Sequence, residues 1–293
     1  MAANPYLAWV ETFVTALRTG EAINTLGTAV PAQPPVRSAA PKVLIFAPHP
    51  DDEMITGALP LRLTRERSFT VIDVAVTLGS RVDRRAQRWR ELEAACSYLG
   101  FGLVTPDRAG LEGINLPARG RNPTAWDAAV SAVADVLAAQ PPDVLFLPHA
   151  ADWNATHIGV HHLVIEAMRR QPTLACRVIE TEYWGTMTAP NLMVESTPAD
   201  VADLVAALSL HAGEVARNPY HLRLPAWMID NVRRGAELVG GQGSAAPPFA
   251  FATLYRLRGW KDGQFHEVLE QGRAIASTDR LEVLFPPKKP GDG

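Results

Sequence analysis

Two short stretches of the chain concentrate side chains that can hold a metal ion and activate water. "PHPDDE", residues 48–53, carries His49, Asp51, Asp52 and Glu53 directly after the apolar run "KVLIFA". "PHAADWNATH", residues 148–157, carries Asp152, Asn154 and His157 after the apolar run "VLFL". Carboxylates at the end of a buried segment need a partner, which is an opposite charge, a helix end or a metal. Neutral imidazole nitrogen and carboxylate oxygen are common zinc ligands, and a catalytic zinc takes three of them and leaves a position for water. His49 and Asp52, three residues apart where a strand turns into a helix, can reach one ion. His157 is the leading candidate for the third ligand. Water on such an ion has its pKa lowered towards ~7, and a carboxylate beside the ligands but off the metal is what a general base for it requires. On these residues alone a plainer account stays open: Asp51, Asp52 and Glu53 as first-turn acids complementing a helix N-terminus, with His49 a turn histidine.

For the two stretches to meet, the elements before them must lie in one sheet. "KVLIFA" is short, continuous, apolar and partly β-branched, which predicts a strand covered on both faces. "FTVIDVAVT", "FGLVTP", "PPDVLFLPHA" and "CRVIETEYW" repeat that pattern. Between them come "TGALPLRLTRE", a helix with a proline interruption, then "RRAQRWRELEAACSYLG", ended by Gly100, "TAWDAAVSAVADVLAAQ" and "ATHIGVHHLVIEAMRRQ". Strands alternating with helices predict an α/β fold with a Rossmann-like, doubly wound, mostly parallel sheet. Ligands of such sheets bind beyond the carboxyl ends of the strands, so both motifs fall on one rim. The rhythm weakens after about residue 190, which predicts a less regular C-terminal part holding a helix near 199–216 and a late strand in "FAFATLYRLRGW". Residues 5–24 read as an amphipathic helix expected to pack on the body, and 30–41 as a proline-rich linker. The organisation expected is therefore 1–40 helix and linker, 41–285 one catalytic domain, and 286–293 a disordered tail.

"APHPDDE" after a buried first strand resembles the signature of the PIG-L or LmbE-like family of zinc-dependent deacetylases. "VTLGS" followed by "RRAQRWRELEAACSYLG" resembles the family's strand, glycine turn and R-x-x-E-L helix, and "DVLFLPHAADWNATHIGVHHLV" resembles its second metal segment. The likeness covers roughly residues 42–190. It implies one zinc per chain held by His49, Asp52 and His157, with Asp51 as the general base, and Glu53 orienting the site. It also implies a small-molecule substrate, an N-acyl amino sugar or related amine. The residue types suit iron, cobalt or manganese as well.

One departure falls on a catalytic position. Where the family often has a histidine three residues before the third ligand, this chain has Asn154. Asparagine can donate a hydrogen bond to an oxyanion but cannot supply a proton. His149, His161 and His211 are the alternative acids. Arg88, Glu182, Trp184 and His211 are the candidates for substrate contact. Arg88 also stands three residues before Glu91, a spacing that suits an ion pair along the helix. Two other activities remain compatible: hydrolysis of a non-sugar amide or thiol conjugate, and metal-dependent ligand binding without turnover.

Composition removes other classes. The 293 residues carry 28 Lys and Arg against 31 Asp and Glu, a formal charge of -3, which leaves no electrostatic footprint for nucleic acid. Basic residues cluster from Arg81 to Arg90, but acids follow them directly, so a solvated helix face is expected. No glycine-rich phosphate loop follows the first strand, which disfavours dinucleotide and nucleotide binding. Cys96 and Cys176 sit in apolar surroundings and are expected as buried thiols. The first residues lack a basic n-region and an unbroken apolar core, and no stretch has the length of a membrane span. The expectation is a cytoplasmic enzyme, with oligomerisation left open.

Overall fold

The apolar runs become a single sheet in the computed structural model, which describes residues 4–23 and 40–286. Among the described residues the strands are β1 (Lys42–Ala47), β2 (Thr70–Ala75), β3 (Gly102–Val104), β4 (Val144–Pro148), β5 (Cys176–Thr181), β6 (Leu192–Ser196), β7 (Phe251–Lys261), β8 (Gln264–Glu267) and β9 (Arg273–Ile275). Their order is β3-β2-β1-β4-β5-β7-β6-β9, with β8 paired to β7. The first five are mutually parallel, as expected. β7 runs antiparallel to both β5 and β6, so the sheet is mixed at its C-terminal end.

The helices are α1 (Leu7–Glu21), α2 (Asp52–Ile55), α3 (Leu59–Arg67), α4 (Arg85–Leu99), α5 (Leu116–Arg121), α6 (Pro123–Ala139), α7 (Ala155–Arg169), α8 (Pro198–Ser209), α9 (Ala212–Arg217) and α10 (Leu224–Gly240). β1 shows why helices are needed on both faces. Val43 and Ile45 point into one apolar layer with Leu59, Leu63, Leu92, Leu99 and Leu204 of α3, α4 and α8. Leu44 and Phe46 point into the other, with Val130, Val133 and Leu137 of α6 and Val160, Leu163 and Val164 of α7. The two-residue alternation of the strand and the three- and four-residue spacing of the helices interlock there. α10 covers β6 and β7 through Val232 and Val239 against Met193, Ala252 and Leu254. Both cysteines are free and buried.

Several local expectations need correcting. Pro60 does not interrupt a helix; it occupies the first turn of α3, where the missing N–H costs nothing. The helix expected over 199–216 breaks at Leu210 and His211 into α8 and α9. α1 forms where expected, yet none of its residues is buried; Gly20 meets Leu222 of the body. The proline-rich linker and the tail lie almost wholly outside the described residues. No helix among the described residues is long and apolar enough to cross a membrane.

β1 has β2 on one side and β4 on the other. This is where the strand order reverses, and such a point leaves a crevice beyond the carboxyl ends of two neighbouring strands. Both histidine-bearing loops open into it.

Candidate metal centre and its cavity

The loop after β1 is shaped by an unusual backbone. Asp51 has φ 115° and ψ -28°, a left-handed conformation that non-glycine residues seldom adopt. Neighbouring elements hold this turn: Thr77 donates its hydroxyl to the Pro48 carbonyl at 2.7 Å, and Arg88 donates Nη2 to the Pro50 carbonyl at 3.2 Å. The turn brings Asp52, the first residue of α2, back beneath His49, whose backbone N–H donates to Asp52 Oδ2 at 3.0 Å. On the second loop, Asn154 caps α7 by accepting the Thr156 N–H at 2.8 Å. That cap places His157 in the first turn, facing the first loop.

Three donor atoms converge. His49 Nδ1 stands 3.3 Å from Asp52 Oδ2 and 3.2 Å from His157 Nε2, and His157 Nε2 stands 3.2 Å from Asp52 Oδ2. Ligands at zinc-like bond lengths around a tetrahedral centre lie about 3.3 Å from one another, so this triangle has the size of one face of such a site. The electrostatics agree. Burial pushes Asp52 upward, yet the His157 and His49 imidazoles overcome it and hold the carboxyl far below the ordinary range. Burial works against a charged His157, yet Asp52 and Asp152 push its pKa up to about 10. The donor set demands positive charge at its centre, and a divalent ion fits it.

The three donors are themselves supported. His157 Nδ1 faces Asp152 Oδ1 at 3.5 Å. Asp152 is fixed by accepting the N–H groups of Asn154, Trp184 and Gly185 at 2.8, 3.2 and 3.1 Å. A carboxylate behind a ligating histidine fixes its tautomer and ring plane. The buried Tyr183 ring packs edge-on against the His157 ring, centroids 5.0 Å apart. Glu53 accepts the Asp51 N–H at 2.8 Å and bonds His211 Nε2 at 2.8 Å.

Asp51 sits beside this triangle but outside it. Burial, then the neighbouring Asp52 charge, pushes its pKa up to about 8. Tyr220, in a 3₁₀ turn (Tyr220–Leu222), donates its hydroxyl to Asp51 Oδ2 at 2.6 Å. His49, Asp51, Asp52 and Asn154 all border a cavity of about 730 Å³, rimmed by Trp153 and Trp184, which are 81% and 50% exposed. A volume in this range accommodates a small organic ligand.

The sequence candidates separate cleanly in space. Arg88 and Trp184 border the cavity. Glu182 does not, because its carboxylate is buried and bonded to Arg234 and to the Met187 N–H. His211 lies behind Glu53 rather than in the cavity. His149 bonds the Gly185 carbonyl and His161 the Pro148 carbonyl, so neither is turned towards a substrate. Arg88 does not pair with Glu91; it reaches Glu214 at 3.6 Å, while Glu91 accepts from Gln87 and the Gly213 N–H. The basic run from Arg81 is only in part a solvated face: Arg81 and Arg90 are exposed, while Arg84, Arg85 and Arg88 are half-buried, and Arg81, Arg84, Arg85 and Arg88 border the cavity. Tyr220 and Glu214 were missed altogether, and no spacing in the sequence links them to the motifs.

Comparison with known proteins agrees with this geometry. Residues 44–168 match the PIG-L family, described as GlcNAc-PI de-N-acetylase, and the matched stretch includes both histidine-bearing loops. No curated protein sequence matches the chain. Among solved structures it is similar to the N,N'-diacetylchitobiose deacetylase of Pyrococcus horikoshii, at 17% identity, 87% of this chain, 93% of that one and a TM-score of 0.53. It is equally similar to the 4-carboxy-2-hydroxymuconate hydratase GalB of Pseudomonas putida, at 18% identity, 74% and 95% coverage and a TM-score of 0.53. A third is the deacetylase of the A40926 pseudoaglycone, at 14% identity, 73% and 96% coverage and a TM-score of 0.54. These likenesses establish a shared α/β fold.

Proposed function

We propose that this chain is a metal-dependent deacetylase that hydrolyses the amide of an N-acyl amino sugar or a related amine, with zinc as the ion. The observation that carries this reading is the triangle of His49, Asp52 and His157 donors with the half-buried carboxylate of Asp51 beside it, bordering an open cavity. The family match supports the reaction class, and the name of that family, like those of two structural neighbours, supports an N-acetylated sugar or glycoconjugate. A divalent ion held by the three donors supplies a Lewis acid for the acyl oxygen and acidifies water.

The protein's own groups account for the proton movements. Asp51 takes the proton from the attacking water and returns it to the departing amine. The Tyr220 hydroxyl occupies Oδ2 of Asp51 and so leaves Oδ1 for that traffic. Asn154 spends its side-chain oxygen on the α7 cap, which leaves its NH₂ group to donate to the developing oxyanion. With His149, His161 and His211 all bonded elsewhere, Asp51 carries both proton transfers. The test is metal content by mass spectrometry together with acetate release from a panel of N-acetyl amino sugars. About one ion per chain, lost in Asp52→Ala along with acetate release, is the expected result. A metal-free wild type would overturn the reading.

A second reading draws on Asn154. A site without a separate acid for a leaving amine also suits addition of activated water to another acceptor, and one neighbour of this fold is named as a hydratase. Metal retained without acetate release would favour it.

A further inference from the structure

The cavity has a second chemical character beside the metal centre. Arg81, Arg84, Arg85, Arg88 and Arg217 all border it. The charges that answer them are few. Glu214, buried to 4% exposure, is shared by Arg84 at 2.8 Å, Arg88 at 3.6 Å and Arg217. Arg85 pairs with Glu112 at 2.6 Å and Arg81 with Asp83 at 2.6 Å. Five guanidiniums thus share three paired carboxylates, and the cavity's two other carboxylates, Asp51 and Asp52, belong to the metal centre, where a bound ion would offset them. The guanidiniums are gathered along one wall of the cavity, away from the metal-centre carboxylates, which focuses the field of that wall on an anion entering it.

The arrangement is built rather than incidental. Glu214 acts as a buried spacer that fixes several guanidiniums at once. Arg88 is committed to the protein itself: it bonds the Pro50 carbonyl, and its Nη1 lies where a Cβ on Gly79 would be, 2.1 Å away. The others extend outward from it, with the Arg85 side chain 16% and Arg84 25% exposed, to Arg81 and Arg217 at 69% and 72%. The wall therefore runs from the metal loop to the mouth of the cavity. Guanidinium groups in such an array match the planar, two-oxygen edge of a phosphate or carboxylate.

We propose that the substrate is an N-acyl amine bearing an anionic group, phosphate or carboxylate, which the surplus charge of this arginine wall binds while the amide lies over the metal centre. This rests on the deacetylase reading for the identity of the reacting group, but the wall itself does not depend on turnover. Binding energy from the remote anion serves to hold the amide in place for reaction.

Calorimetric titration with deacylated amines separates the two ideas. The probes are glucosamine, glucosamine 6-phosphate and muramic acid, the last carrying a carboxylate, added to the metal-loaded wild type and to Arg85→Gln and Arg217→Gln. These two arginines pair with different carboxylates, Glu112 and Glu214, so that if one variant fails to fold the other still reports. One or both anionic amines should bind at least about ten-fold more tightly than glucosamine, as expected for charge-assisted bonds. That preference should shrink in both variants and in high salt. Preference for glucosamine 6-phosphate alone identifies phosphate as the group, and preference for muramic acid alone identifies carboxylate. Equal affinity for all three amines overturns the wall's role, whether or not acetate is released from the N-acetyl panel. Anion preference without acetate release upholds the wall and removes the deacetylase reading.

Discussion

Asp51 and Asp52 are adjacent carboxylates with opposite electrostatics, and that contrast assigns their roles. Asp52, between two imidazoles, stays ionised and suits the role of a ligand; Asp51, half-buried beside that charge and outside the triangle, has an affinity for protons that Asp52 lacks. Asp51→Asn should therefore keep the metal and lose about 10²–10⁴-fold in kcat, with metal content and acetate release measured on the same preparation; loss of the metal would show that Asp51 ligates. Asp152 acts one step further out. Removing its charge in Asp152→Asn frees His157 to turn and should weaken metal affinity about 10–100-fold, read by competition with a chromogenic chelator. Unchanged affinity would reduce Asp152 to a loop staple for Trp184 and Gly185. At this scale the ligands were legible because type and spacing suffice when two residues sit in one turn. Tyr220 and Glu214 were not legible, because nothing local marks a residue that reaches the site from a distant helix. The arginines were visible but their place at the cavity was not, since Arg84, Arg85 and Arg88 meet Glu214 and Glu112 rather than the acids that follow them in the helix.

At the scale of elements, the site is the meeting of two strand ends and two loops, and the loops carry the strain. The Thr77–Arg81 segment accommodates the Arg88 guanidinium only because residue 79 has no side chain, and Gly79 also has φ +83°. Gly79→Ala should cost about 1–3 kcal/mol of stability and displace Arg88 from the Pro50 carbonyl, loosening the turn that aims Asp51. Urea unfolding with a parallel kcat/KM measurement checks both; a variant of wild-type stability and activity would show that the arginine has room to move. The parallel strands were legible because a doubly covered strand leaves a continuous apolar run. The direction of β7 was not, because such a run carries no arrow and the chain reaches β7 only after α10. The break between α8 and α9 has a comparable origin. His211 is drawn into a buried bond with Glu53, and that tertiary contact overrides the helical period on either side. α1 has the opposite problem: its apolar residues recur at helical spacing, but none of them is buried. Amphipathicity predicts a helix, and not what the helix touches.

For the molecule as a whole, the buried polar groups beneath the sheet's rim set how stability responds to pH. His161 lies within α7 against β4, its Nδ1 bonded to the Pro148 carbonyl at 2.9 Å, with Glu180, His149 and Arg258 around it and His162 beside it. Burial lowers its pKa to about 4 from an ordinary 6.5. The unfolded chain therefore takes up a proton at His161 as pH falls below 6.5, while the folded chain does not until about pH 4. Stability from this group is complete above pH 6.5 and is lost on acidification across that window, by about 3 kcal/mol in all. Asp73 acts in the other direction. Its carboxyl is fully buried, with neither oxygen hydrogen-bonded, and burial followed by the Glu53 and Asp52 charges raises its pKa well above the ordinary value. Its folded form favours the proton, so its contribution falls as pH rises above the ordinary carboxylate range. The two effects therefore oppose each other as pH rises above the ordinary carboxylate range. Urea unfolding from pH 4 to 8, run with a chelator so that metal release adds nothing, isolates the histidine when wild type is compared with His161→Asn, whose amide can still donate to Pro148. The variant should lose about 3 kcal/mol less than wild type between pH 6.5 and 4. Parallel curves for the two proteins would mean that His161 is protonated in the folded state after all, with its charge met by Glu180.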